Sequence, residues 1–135
     1  MPFREHRITR RVLFYEVDLA GIVHFSTYFR YMEEAEHALW RTAGMSVAPT
    51  DRNVGFPRIA VSCEYLAPLK FEEQFDVHVR VDALSRRSIK YVHTITRGET
   101  RIATGTITTV CVAKDADGVM RAISIPDDIV AGLKG

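Results

Sequence analysis

One carboxylate stands where it could do chemistry. Asp18 follows a run of β-branched and aromatic residues, and it precedes Gly21 and a helical pattern that starts at Thr27. A helix N-terminus presents unpaired N–H groups and the positive end of the helix dipole. Such donors polarise a carbonyl group and hold the oxyanion that forms on attack. A nearby carboxylate can attack that carbonyl or take a proton from water, so this segment could hydrolyse a thioester without a metal.

Residue types and spacing alone leave a structural interpretation open, because an aspartate in a strand-to-helix loop often forms a turn or a cap. Other chemistries fit less well. The stretch from Gly44 to Ala48 has a serine between glycine and alanine, but it follows a helix where a nucleophile elbow requires a strand. The sequence has no Gly-x-Gly-x-x-Gly or Walker motif, and its five histidines are scattered without a metal-binding spacing.

The elements that must position Asp18 follow from periodicity. Residues 8–17 read as a strand, and Thr27 to Ala43 as an amphipathic helix with Ser26 as N-cap and Gly44 just beyond its end. Alternation is clearest at 74–84. The other predicted strands span 58–66, 87–97, 101–114 and 119–124. Pro126 is placed to open a last helical turn or two. Short turns favour antiparallel pairing, which predicts an α+β fold with one helix against a sheet.

Composition restricts the class of protein. The 135 residues carry a net charge of +1 and read as a single domain, 1–135, without a linker, a signal peptide or a membrane-spanning run. Cys63 and Cys111 lie in strand-like runs and are expected as core thiols, which favours the cytoplasm. A single sheet on one helix leaves strand edges uncovered, so we expect a homodimer.

The segment from Tyr15 to Tyr28 resembles the signature of the 4-hydroxybenzoyl-CoA thioesterase family, in the hotdog superfamily. That signature reads roughly D-x-x-G-h-V-x-x-x-x-Y, with an acidic residue further along the helix, here Glu33. A weaker likeness covers nearly the whole chain. The resemblance implies an antiparallel sheet of about five strands wrapped around one long central helix. It also implies an acyl-CoA thioesterase that works as a homodimer, commonly doubled to a homotetramer.

The resemblance also implies roles for particular residues. Asp18 would be the catalytic carboxylate, acting as nucleophile or general base. The backbone N–H of Phe25 would polarise the thioester carbonyl, and Gly21 would let the loop pack close to the thioester. Tyr28 would lie in the first helical turn, in the acyl pocket or in the core. No cofactor is expected, since coenzyme A enters as part of the substrate.

The sequence departs from its relatives beside this motif. Some relatives carry a histidine seven positions after the aspartate, where this chain has Phe25, and His24 comes one residue earlier. The shift re-aims the imidazole, so His24 is expected beside the substrate rather than in catalysis. Ser26 would cap the helix or touch the acyl group. Many relatives have an arginine where this chain has Glu36, so an ion pair built on that arginine is missing.

A basic turn is the candidate site for the nucleotide part of coenzyme A. Arg86, Arg87 and Ser88 lie between two predicted strands, and guanidinium groups bind phosphate through two parallel hydrogen bonds. A solvated hairpin turn is the structural alternative.

Two other functions stay open at this stage. Hotdog hydratases use an Asp-x4-His pair before the same helix, whereas five residues separate Asp18 from His24 here. A non-catalytic module that binds acyl-CoA or acyl-carrier protein is the second, and the intact aspartate argues against it. The sequence does not distinguish an aromatic from a short-chain acyl group.

Overall fold

A computed structural model of the chain describes residues 3–135 and shows one helix lying against a five-stranded antiparallel sheet. The order of strands in the sheet is β1-β3-β4-β5-β2. The strands are β1 (Glu5–Arg11), β2 (Arg58–Tyr65), β3 (Gln74–Leu84), β4 (Ser88–Arg97) and β5 (Thr100–Val110). A two-stranded sheet of β6 (Val112–Lys114) and β7 (Met120–Ala122) follows, and α2 (Asp127–Lys134) ends the chain. The predicted α+β hotdog fold is confirmed.

The long helix α1 (Thr27–Thr42) supplies the centre of the core. The residues predicted for its apolar face are all buried, namely Tyr28, Tyr31, Met32, Ala35 and Leu39. Gly44 ends the helix as predicted: its φ is +72°, and its N–H donates to the Arg41 carbonyl. The next N–H, that of Met45, reaches the Trp40 carbonyl at 3.0 Å, which completes a Schellman motif.

The inner face of the sheet covers that helix. Side chains alternate along β3 as the sequence predicts, with Phe75, Val77, Val79 and Val81 buried. This period of two places every second residue in the core. The same face of β4 carries Ile89, Tyr91, His93 and Ile95, all buried.

Two predicted strand boundaries are wrong. The strand expected at 8–17 ends at Arg11, and Phe14–Glu16 forms a 3-10 turn closed by the Glu16 N–H on the Leu13 carbonyl. The strand expected at 101–114 breaks at Cys111: its N–H still donates to the Arg87 carbonyl at 2.7 Å in register with β4, but its carbonyl accepts the Ile123 N–H at 2.9 Å, in register with β7.

The helix also buries a charge that the sequence placed on its polar face. Glu36 is only 2% exposed, and its carboxylate accepts a hydrogen bond from the Arg58 guanidinium at 2.7 Å. The buried His93 ring places Nε2 2.8 Å from the same carboxylate. The chain therefore pairs Glu36 with an arginine on β2.

The two edges of the sheet differ in character. On β1, charged side chains such as Glu5, Arg7 and Arg11 line the edge, which discourages pairing with another strand. On β2 only Cys63 is half-buried, and the large apolar side chains of Ile59, Val61 and Tyr65 are exposed. The β2 edge is therefore apolar and unprotected.

Both cysteines are free thiols. Cys111 is buried as predicted, whereas Cys63 is only half-buried. Burial raises the pKa of both thiols, which keeps them protonated. Within residues 3–135, no helix is long and apolar enough to cross a membrane.

Gly105 of β5 leaves room for the Met32 side chain of α1 against the sheet. A Cβ atom there would lie 2.4 Å from Met32 Cε and 2.8 Å from the Ser62 carbonyl oxygen of β2. We expect Gly105→Ala to lower the free energy of unfolding by about 1–3 kcal/mol, because the core cannot accept the added volume. Urea unfolding would measure the loss. At Gly55 a Cβ would meet only Val112 Cγ2 at 3.6 Å, so Gly55→Ala is the matched control and should cost clearly less.

Candidate active site

A small hairpin holds Asp18 next to the start of α1. The Asp18 N–H donates to the Ile22 carbonyl at 2.9 Å, and the His24 N–H donates to the Glu16 carbonyl at 3.0 Å. A bridge between Val17 and Val23 lies between these two hydrogen bonds. One side of the hairpin therefore carries Asp18, and the other leads directly into the helix.

The tip of the hairpin fixes the Asp18 carboxylate. The Gly21 N–H closes a turn on the Asp18 carbonyl, and the Ala20 N–H donates to Asp18 Oδ1 at 2.8 Å. Gly21 has a φ of +82°, a conformation that favours glycine. Among the described residues, none apart from the two chain neighbours of Gly21 lies within 4 Å of a Cβ built there, so the turn, rather than a close contact, requires the glycine. In residues 3–135 no group bonds to Asp18 Oδ2, which leaves one oxygen available.

The Phe25 amide is the donor that the sequence singled out. The peptide bond between His24 and Phe25 carries this N–H. Its carbonyl oxygen, that of His24, accepts the Thr27 N–H at 2.9 Å. In a trans peptide the N–H points opposite to the C=O, so the Phe25 N–H is directed away from the helix. Across the described part of the chain this N–H has no acceptor.

Tyr65 holds the neighbouring peptide and was not foreseen from the sequence. Its hydroxyl donates to the Phe25 carbonyl at 2.8 Å, from the last residue of β2. Its ring packs edge-on against Tyr28, with 5.1 Å between ring centroids. Burial raises the pKa of Tyr65 to about 12, so the hydroxyl remains a donor at neutral and moderately alkaline pH. The sequence could not predict this contact, because 40 positions separate Phe25 from Tyr65.

His24 and Ser26 form a pair beside the amide. Ser26 is the N-cap residue of α1 as predicted, but its hydroxyl makes no capping bond. Instead His24 Nδ1 accepts the Ser26 N–H at 3.3 Å and lies 2.8 Å from Ser26 Oγ. The His24 side chain therefore satisfies a backbone N–H at the start of α1, which the Ser26 side chain does not.

Two clefts meet at Asp18. An open cleft of about 440 Å³ lies on one side of it and is mainly apolar, lined by Phe25, Tyr28, Tyr65 and Pro68. A polar cleft of about 410 Å³ lies on the other side and contains His24, Ser26 and Arg30. Tyr28 is 3% exposed, belongs to the core and also lines the apolar cleft, and its role toward the acyl group stays a prediction.

Known proteins similar to this chain establish its family. Residues 12–133 match the family model of the thioesterase-like superfamily. The chain belongs to the thioesterase-like superfamily. A curated relative from Aquifex aeolicus, named "Putative esterase", is 34% identical and aligns over 99% of both chains.

Solved structures of the superfamily superpose on nearly the whole chain. A gentisyl-coenzyme A thioesterase is 26% identical, with a TM-score of 0.81 over 95% of this chain and 99% of that one. The 1,4-dihydroxy-2-naphthoyl-CoA thioesterase of Synechocystis is 17% identical, with a TM-score of 0.87 over 96% and 95% of the two chains. The second likeness establishes the shared fold. Membership and neighbours together indicate a thioesterase-type activity.

The basic turn predicted to bind coenzyme A does not join the Asp18 site within this chain. Arg86, Arg87 and Ser88 lie where β3 passes into β4, whereas the Asp18 hairpin bridges to Lys70, shortly before β3 begins. The 11 residues of β3 span about 33 Å at about 3.3 Å per residue, so the turn lies at the opposite end of this strand. Arg86 Nε donates to Ser124 Oγ at 2.9 Å.

Proposed function

We propose that this protein hydrolyses acyl-CoA thioesters, with Asp18 and the Phe25 N–H as the catalytic groups. One observation carries the proposal. A carboxylate with an available oxygen and an amide without an acceptor stand on the two sides of one hairpin, and both border the same apolar cleft. Attack on a carbonyl requires a nucleophile or base on one side and an oxyanion donor on the other.

The groups divide the reaction between them. The thioester oxygen accepts the Phe25 N–H, and negative charge develops there as the carbonyl carbon becomes tetrahedral. Asp18 either takes a proton from the attacking water or forms an anhydride that water then opens. In both routes the C–S bond breaks, the thiolate of coenzyme A takes up a proton, and the free acid is released. Oδ2 is the oxygen assigned to this work, since Oδ1 accepts the Ala20 N–H.

The acyl group belongs in the apolar cleft. Aromatic side chains of Phe25, Tyr28 and Tyr65 line it, which suits a flat or short apolar acyl group. The gentisyl-coenzyme A thioesterase supports an aromatic acid by analogy. A hydratase reaction is less well supported, because His24 lines the polar cleft and its Nδ1 atom is hydrogen-bonded to Ser26.

A second subunit completes the proposal. The apolar β2 edge would otherwise leave Ile59 and Val61 more than half exposed to water, and pairing of two such edges covers them. We therefore propose a homodimer through β2, which could double to a tetramer. Assembly also offers the basic turn a role, since Arg86 and Arg87 could reach coenzyme A only at the site of another subunit.

The role of Asp18 is tested by Asp18→Asn. We expect kcat to fall by about 10²–10⁴-fold, because the amide can neither attack nor accept a proton. The fold should persist, since an amide oxygen still accepts the Ala20 N–H. Release of free thiol from a panel of aromatic and aliphatic acyl-CoAs measures the effect. Asp117→Asn, on an exposed turn, is the matched control. Comparable turnover in Asp18→Asn and wild type would remove Asp18 from the mechanism.

The contribution of Tyr65 is tested by Tyr65→Phe. Loss of the hydroxyl frees the Phe25 carbonyl, and the amide donor becomes less well oriented. A neutral hydrogen bond contributes about 0.5–1.5 kcal/mol, so we expect a threefold to tenfold lower kcat. The ring remains against Tyr28, and KM should therefore change little. An unchanged kcat would show that α1 alone orients the donor.

The β2 interface is tested by Val61→Glu. A charge on the apolar edge should reduce the mass seen by light scattering to that of one chain, 15.3 kDa. Turnover should fall with it if the site needs a second subunit. Val119→Glu is the control, since Val119 is similarly exposed but lies outside β2. A fully active monomer would contradict the proposed assembly.

A further inference from the structure

Glu16 is a buried carboxylate that the proposed reaction does not use. It lies two residues before Asp18 and is only 6% exposed. Oε1 accepts the Leu13 N–H at 2.8 Å and the Tyr31 hydroxyl at 2.9 Å. Oε2 accepts the Arg10 guanidinium at 3.0 Å. Removing a buried carboxylate from water costs several kcal/mol, so these donors must be retained for the folded state to persist.

The donors come from different parts of the fold. Arg10 belongs to β1, Tyr31 to α1 and Leu13 to the residues that open the 3-10 turn. Arg10 also stacks on the Tyr31 ring, 4.9 Å from its centroid, which fixes both partners. Burial, followed by the bond to Glu16, raises the pKa of Tyr31 well above its usual value, so the phenol stays protonated and donates. Glu16 is therefore locked against both the strand and the helix.

The backbone of the same residue reaches the catalytic groups. Its carbonyl accepts the His24 N–H at 3.0 Å, and the next amide along the chain is that of Phe25. In the other direction Asp18 follows after one residue, Val17. Glu16 thus connects with both sides of the hairpin, and its side chain sets where the hairpin stands relative to α1.

We infer that Glu16 is a positioning residue, whose buried carboxylate holds Asp18 and the Phe25 N–H at their working separation. The inference rests on the proposed function. It assigns different tasks to two neighbouring carboxylates: Asp18 reacts, and Glu16 keeps the hairpin in place. Misplacement of a reacting group by about 1 Å can cost 10²-fold in rate, so a small rotation of the hairpin is enough to matter.

The variant Glu16→Gln tests the inference. Glutamine keeps the volume but turns an NH2 group toward one of the donors, so the anchor loosens. We expect kcat to fall by about tenfold to 100-fold while KM changes less than about threefold, since the residues that line the apolar cleft, where the acyl group is proposed to bind, are unchanged. Thiol release should be measured well below the midpoint of thermal unfolding of each variant. Wild-type kcat in a folded Glu16→Gln protein would overturn the inference.

A matched control separates positioning from general stability. Glu36 is also buried and also paired with an arginine, Arg58, but it makes no contact with the Asp18 hairpin. We expect Glu36→Gln to lower the unfolding temperature comparably and to leave kcat near wild type. An equal loss of kcat in both variants would overturn the inference, because it would reduce the role of Glu16 to stability.

A milder variant covers the case in which Glu16→Gln does not fold. Tyr31→Phe removes one donor and should lower kcat in the same direction by a smaller factor; no change in kcat would count against the inference. The two proposals fail separately. An active Asp18→Asn protein would refute the proposed function. Loss of activity in Asp18→Asn with full activity in Glu16→Gln would refute only the role of Glu16.

Discussion

The hydrogen bond from the His24 N–H to the Glu16 carbonyl is the constraint on which the site depends. It closes the hairpin at its base, and the bond from the Asp18 N–H to the Ile22 carbonyl closes it near the tip. Together they keep the two sides of the hairpin at the separation of paired strands, about 5 Å. The exposed carboxylate and the helix N-terminus can therefore serve one carbonyl, although each belongs to a different side.

Environment distinguishes the two carboxylates of this segment. Glu16 is buried and satisfied by three donors, which leaves it no free oxygen for chemistry. Asp18 is exposed at the meeting point of an apolar and a polar cleft, with one oxygen engaged by the Ala20 N–H. The proposed reacting group must be accessible, and the proposed positioning group must be immobile. The hairpin provides both environments within three consecutive residues.

The sequence predicted what short-range physics controls. Helical periodicity located α1, and the αL residue Gly44 marked its end. Alternation identified the buried face of β3. The strand predicted at 8–17 is too long, because its last residues are as well suited to β structure as its first. The Glu16 carboxylate, three residues after Leu13, accepts the Leu13 N–H and favours a turn there instead. The contacts of Tyr65 and Glu36 could not be predicted, because their partners are distant in sequence.

The position of Tyr65 connects the proposed catalysis with the proposed assembly. It is the last residue of β2, the unprotected edge strand, and its hydroxyl holds the peptide next to the oxyanion donor. Nearly half of its surface is exposed in the isolated chain. In the proposed dimer, a second subunit paired along β2 would cover that surface and thereby shield the bond to the Phe25 carbonyl. The apolar strand β2 would then serve both the proposed dimer and the orientation of the proposed site. An isolated subunit would retain the proposed catalytic groups but would orient them less well.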